Sequence, residues 1–272
     1  MKTFFIGLLL FSLVFAAAFF GGQWFERRSN ASVRTALLEQ GAFRPTPYPV
    51  INRPFVLVLT GRNHGPLLEK TIRSITTQNY DAYRIIYIDD ASDDGSLDLA
   101  KELFYESGQM HRVTLLQTER PVGELANLIR AVQSAERSEI IVPIEGDGWL
   151  AHEWVLPRLN QYYAHPDLWM TYSQYREYPT YELKADSFHL KSFYAALFTE
   201  IREADLKDRG EFLKGDKPYM LPMLEMAKDH STFVPEVMYI SAATLEKNAP
   251  EEGFKAKAPY EPLSLLKLEV AP

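Results

Sequence analysis

The chain has 272 residues, a formal net charge of -7, 46% hydrophobic and 24% charged residues, and no cysteine. This is ordinary globular composition, enough for one large domain or two small ones. The acidic balance argues against a generic nucleic-acid binder, and the lack of cysteine excludes disulfide scaffolds, thiolate metal sites and cysteine nucleophiles.

From Thr3 to Phe25 no residue is charged, while Lys2 precedes the run and Glu26-Arg27-Arg28 follows it. As a helix the run spans roughly 34 Å, against about 30 Å for a bilayer core. Residues 1–25 are therefore expected to form an uncleaved single-pass membrane anchor. Ala16-Ala17-Ala18 offers the rival, a signal peptide cleaved to release a secreted protein. Basic residues on both flanks leave the orientation open. Residues 26–53 read as a linker, with Pro45, Pro47 and Pro49 opposing regular helix near its end.

The body then alternates. The apolar runs Phe55–Thr60, Arg84–Ile88, Val113–Leu116 and Glu139–Ile144 predict buried strands, and helical spacing predicts helices over Pro66–Thr77, Leu97–Tyr105 and Glu124–Ala135. Such alternation implies an α/β fold with a mostly parallel sheet flanked by helices. Beyond Trp149 the pattern loosens. Helices are expected over Trp154–Tyr163, Ser187–Ile201 and Tyr219–Lys228, the second with exposed Lys191 and the third with Pro222 in its first turn. Strands are expected over Trp169–Tyr175 and Phe233–Tyr239, and the tail beyond Asn248 shows no period.

Two of the strands end in carboxylates. Asp89-Asp90 closes one, followed by Ser92, Asp93, Asp94 and Gly95; Glu145-Gly146-Asp147 closes another. In open α/β sheets, ligands bind at such carboxyl ends. The Asp89-Asp90 pair suits a nucleobase or ribose, whereas Asp93 or Asp94 reads as an ordinary helix cap. Two carboxylates one residue apart, with phosphate oxygens and water, suit Mg or Mn. Asn127 reads equally as a site amide or a surface residue. His189 and Lys191 read as a helix-surface pair, and His152 as a residue leading into a helix.

Taken together, Thr60-Gly61-Arg62-Asn63, Gln78-Asn79-Tyr80, Asp89-Asp90-Ala91-Ser92-Asp93-Asp94, Gly123 with Asn127, and Glu145-Gly146-Asp147-Gly148 resemble the family 2 glycosyltransferases, inverting enzymes of GT-A fold. The resemblance implies a nucleotide-sugar-binding half over 54–180 and an acceptor-side half with the tail over 181–272. It implies that Thr60, Asn63, Asp89, Asp90, Gly123 and Asn127 bind the donor, that Glu145 and Asp147 hold Mg or Mn, and that Asp216 is the general base. The partners it implies are a nucleotide-diphosphate sugar and a hydroxyl-bearing glycan or lipid, with the catalytic body on the cytoplasmic side of a membrane. Two positions depart from the family pattern, Glu145 for Asp and Gly148 for a further Asp. This degenerate motif motivates one alternative, a catalytically impaired sugar-nucleotide binder or membrane-tethered interaction protein. A nucleotidyltransferase is a second alternative, though Gly61-Arg62-Asn63-His64-Gly65 is short and weakly basic for a phosphate loop.

Overall fold

The computed structural model describes residues 51–184, 188–242 and 258–269. The expected anchor and nearly all of the linker lie outside them. Among the described residues, no helix is long and apolar enough to cross a membrane.

The first half follows the predicted alternation. Strand β1 (Phe55–Gly61) runs between β2 (Tyr83–Asp89) and β4 (Ile140–Glu145), and β3 (Val113–Gln117) pairs with the outer side of β2, all parallel. β1 is apolar on both faces because helices cover both. β3, at the sheet edge, is only half-buried. Helix α1 (Gly65–Thr76) has proline in its first turn, where no N–H is needed, and buries Leu68, Ile72 and Ile75 on one stripe. Each such side chain stabilises the fold by roughly 1.5–3 kcal/mol relative to exposure. Helices α2 (Ser96–Glu106) and α3 (Glu124–Gln133) bury Leu103 and Phe104, and Leu128 and Val132, in the same way.

The second half corrects several expectations. The sheet is mixed rather than mostly parallel. Its order is β3-β2-β1-β4-β8-β6-β11-β5, with β7 (Glu182–Lys184) beside β6 (Met170–Tyr178). β8 (Ser192–Tyr194) is antiparallel to both β4 and β6, and β5 (Gly148–Leu150) is antiparallel to β11 (Ser231–Ala242). Where a helix was expected over Ser187–Ile201, β8 is followed by the short α5 (Ala195–Thr199). The apolar run Leu190–Phe198 fits either period, and sheet pairing decides it. Helix α4 (Val155–Tyr162) lies as predicted, and a hairpin forms from β9 (Lys207–Asp208) and β10 (Glu211–Phe212). Helix α6 begins earlier than expected, at Lys217, and runs to Ala227, so Pro222 sits inside it rather than in its first turn. Residues 258–269, which show no period, are docked: Leu266 is buried, Leu263 N donates to Met226 O at 2.9 Å, and Tyr260 Oη donates to Asp205 at 2.6 Å.

A register irregularity in β11 between Val234 and Tyr239 spans Pro235, which has no N–H to give a sheet. Pairing with β6 resumes at Tyr239, which reaches the end of β4.

Candidate active site at the strand ends

The register brings the acidic strand ends together. Gly61 lies opposite Asp89 on β2, and Thr60 lies opposite Glu145 on β4. With strands about 4.8 Å apart, Asp89 and Glu145 stand roughly 10 Å apart on either side of the end of β1.

Asp89 and Asp90 are both buried. Asp90 accepts hydrogen bonds from Thr118 Oγ1 at 3.0 Å, Val122 N at 3.0 Å and Gly123 N at 2.9 Å. Burial by itself would raise its pKa. The amides of Val122 and Gly123, with the Asn127 and Thr118 side chains, outweigh burial and hold the carboxyl below its ordinary value. Gly123 reaches this position with φ 88°, which explains the glycine. Asp89 Oδ2 accepts from Ser92 N at 3.0 Å and Gln117 Nε2 at 3.3 Å, but Oδ1 takes no hydrogen bond. Asn127 is 1% exposed, and neither end of its amide makes a hydrogen bond of ordinary geometry. It is therefore no surface residue. Buried polar groups left this way are rare and point to a ligand or ordered water.

Asn63 has φ 58° and is engaged with the acidic turn: Nδ2 donates to Asp93 Oδ1 at 2.9 Å, and Oδ1 accepts from Asp93 N at 3.0 Å. Asp94 accepts from Ser96 N at 2.9 Å and Gly65 N at 3.1 Å, so it ties the start of α2 to α1, while the helix cap itself is Gly95 rather than Asp93 or Asp94. Thr60 is buried at the end of β1. Gln78 and Tyr80 are framework residues. Gln78 bridges His152 O and Leu156 N, which fixes His152 at the approach to α4, and Tyr80 Oη donates to Arg53 O.

The Glu145–Gly148 turn is pinned from α1, where the buried Thr71 hydroxyl donates to Gly148 O at 2.8 Å. Both glycines have steric causes. A Cβ on Gly146 would stand 2.5 Å from the His64 ring, and one on Gly148 would fall 2.0 Å from Tyr239 Oη. The Tyr239 hydroxyl, accepting from Glu145 N at 3.1 Å, fills the place a side chain at 148 would need. Burial, then the charges of Glu145 and Asp147, keep this phenol neutral.

Glu145, His189 and Asp216 can each present one ligand atom, all within 4.8 Å of one another. Asp147 is buried on the same turn, but its carboxylate is not one of the three. Asp216, the residue before α6, accepts from Tyr219 Oη at 2.9 Å through Oδ1, and its Oδ2 lies 2.6 Å from Lys191 Nζ. Lys191 also lies 3.8 Å from Glu145 Oε1. His189 stacks on Tyr239, with ring centroids 5.5 Å apart. The helix-surface reading of His189 and Lys191 is thus overturned: both are buried and face the acidic cluster. No local signal marked them, since Leu190 between them lies in a bend ahead of β8 and neither residue belongs to a helix or a strand. Tyr219 and Tyr239 carried no signal, because a tyrosine in an apolar run reads as core.

The model of glycosyl transferase family 2 matches residues 57–211. No curated protein matches the sequence. Among solved structures, residues 1–349 of TarS from S. aureus, in complex with UDP-GlcNAc, superpose with TM-score 0.56 at 11% identity, covering 70% of this chain and 59% of that one. The mannosyltransferase PcManGT from Pyrobaculum calidifontis, in complex with GDP-Man and Mn2+, superposes with TM-score 0.55 at 19% identity, covering 76% and 62%. At these identities the likeness is one of fold, and the chain matches less than two thirds of either neighbour.

Proposed function

The chain belongs to glycosyl transferase family 2 and is by that membership an enzyme of glycosyl transfer; we propose that it moves a sugar from a nucleotide-diphosphate sugar to a hydroxyl acceptor, with inversion at the anomeric carbon. The observation that carries the donor assignment is the buried Asp89 Oδ1, left without a hydrogen bond beside the saturated Asp90 at the strand ends. A base or ribose donor would complete it, and the diphosphate would run toward Glu145. That TarS and PcManGT were solved with nucleotide sugars supports this reading. The family match displaces the nucleotidyltransferase alternative. The packing of Tyr239 gives Gly148 a steric cause.

Asp216 is the proposed base. It would take the acceptor hydroxyl proton as the oxygen bonds to the anomeric carbon and the bond to the diphosphate breaks. Tyr219 and Lys191 hold its two oxygens in place. Glu145, His189 and Asp216 fit a divalent cation, and a mixed carboxylate and imidazole set favours Mn over Mg. When bound, the ion supplies Lewis-acid stabilisation of the leaving diphosphate. We keep residues 1–25 as the proposed anchor, with the body on the cytoplasmic side where the donor is made.

The test is a panel of nucleotide sugars, UDP-GlcNAc and GDP-Man included, incubated with Mn2+ and read as released nucleoside diphosphate. Asp89→Asn is expected to abolish donor binding in calorimetry. A panel in which no donor binds the folded protein would sink the donor assignment.

A further inference from the structure

Lys191 is 1% exposed, and lysine is almost never so deeply buried unless paired. Its partners are Asp216 Oδ2 at 2.6 Å and Glu145 Oε1 at 3.8 Å, two of the three residues placed to hold a divalent ion. An ammonium so deeply buried has its charge met by these two carboxylates. An ammonium and a divalent ion would compete for the same two carboxylates and repel each other across a few ångströms.

We propose that Lys191 is a tethered cation that holds the place of the divalent ion between Glu145 and Asp216, and so makes metal binding conditional on the donor. The ammonium cancels one of the two charges of Glu145 and Asp216, which weakens the attraction for a free ion that must also approach another cation. A nucleoside diphosphate brings at least two further negative charges, which the ion and the ammonium can share. Ion and donor then each strengthen the binding of the other, and by linkage the factor is the same in both directions. Lys191 acts through the carboxylates and is a positioning residue. The donor part of this inference rests on the glycosyl-transfer reading; the competition for Glu145 and Asp216 does not.

Mn2+ titrations of the full-length chain, followed by electron paramagnetic resonance of the free ion, test it. Wild type is expected to bind Mn2+ weakly alone and roughly 10-fold or more tightly with saturating UDP or GDP. Lys191→Met should bind Mn2+ alone roughly 10-fold or more tightly than wild type and gain less from the nucleotide. Lys191→Arg should keep the weak binding. Lys191→Gln, which retains a donor for Asp216, replaces the methionine variant if that fails to fold. Equal Mn2+ affinity in wild type and a folded neutral variant would overturn the proposal, as would a wild-type Mn2+ affinity indifferent to a nucleotide shown to bind. If neither UDP nor GDP binds, the donor assignment fails, and the ratio between wild type and neutral variant still decides the role of Lys191.

Discussion

The carboxylates at the end of β2 and those around the end of β4 are partnered by opposite means. Asp90 is cradled by neutral donors: the amides of Val122 and Gly123 and the Thr118 hydroxyl. Glu145 and Asp216 are balanced by a cation, the buried Lys191. A cradle of dipoles fixes both the charge and the geometry of its carboxylate and changes little when a ligand arrives. A pair balanced by an ammonium answers to any other cation or anion brought near. The first arrangement suits recognition of an invariant group such as a base or ribose. The second suits a centre where charge comes and goes.

The largest effect is expected where this comparison is broken at the cation-balanced end. Asp216→Asn keeps the shape but removes the proton acceptor, so transfer should fall by roughly 10²–10⁴-fold. Nucleotide binding measured by calorimetry without Mn2+ should survive. A variant that loses nucleotide binding as completely as turnover would place Asp216 in the donor pocket instead.

Next comes the position where the altered motif meets Tyr239. A Cβ on Gly148 would lie 2.0 Å from Tyr239 Oη and 2.4 Å from the ring carbon that bears it. Gly148→Ala should therefore destabilise the fold by about 1–3 kcal/mol, read in urea melts, and lower activity with it. Gly148→Asp, which writes the family carboxylate back in, should be no more active than Gly148→Ala. A gain of activity in Gly148→Asp would show that Tyr239 can yield, and would return the lost carboxylate to the list of functional defects.

The cradled end should respond to pH in a defined direction. Asp90 has its folded-state pKa depressed, with burial opposing and the Val122 and Gly123 amides prevailing. Its contribution is fully present above the ordinary carboxylate value and is lost as pH falls through the lower, folded-state value. Asp90→Asn cannot accept on both sides, so about 1–3 kcal/mol should be lost at neutral pH. The gap from wild type should narrow in acid. An undiminished gap at low pH would mean that the amides around Asp90 do not depend on its charge.

The two ends also differ in how much of each could be read from the sequence. The cradle is built from segments near in the chain, and each announces itself. An apolar run stops at Asp89-Asp90, a serine–aspartate turn follows, and Gly123 opens the next helix. The β1–β4 half was legible for the same reason: buried parallel strands read as continuous apolar runs, and their helices have clear stripes. The charge-balanced cluster joins residues 145, 189, 191, 216 and 239, which only the sheet order brings together. Its key strand, β8, is three residues long inside an apolar run that fits a helix equally well. Nothing local marks Lys191 as buried, because its burial is decided by carboxylates elsewhere in the chain. The tail misled similarly: Tyr260 and Leu263 have no period, yet their backbone and side chains find partners on α6 and at Asp205.

The smallest expected effect sharpens the comparison from within the cradled end. Asn63 was expected to line the nucleotide pocket, and its amide instead holds Asp93 by two hydrogen bonds on an exposed turn. It also carries φ 58°, a conformation asparagine tolerates better than most residues. Asn63→Ala should cost about 1 kcal/mol of stability, part from those bonds and part from the backbone. Asn63→Gly removes the same bonds and relieves the backbone, so it separates the two contributions. If Asn63 serves the cradle only by fixing the Asp89–Asp94 turn, both variants should weaken nucleotide binding in proportion to their loss of stability. A variant as stable as wild type that still binds nucleotide 10-fold more weakly would instead put the Asn63 side chain on the ligand, and the cradle would then reach across from β2 to β1.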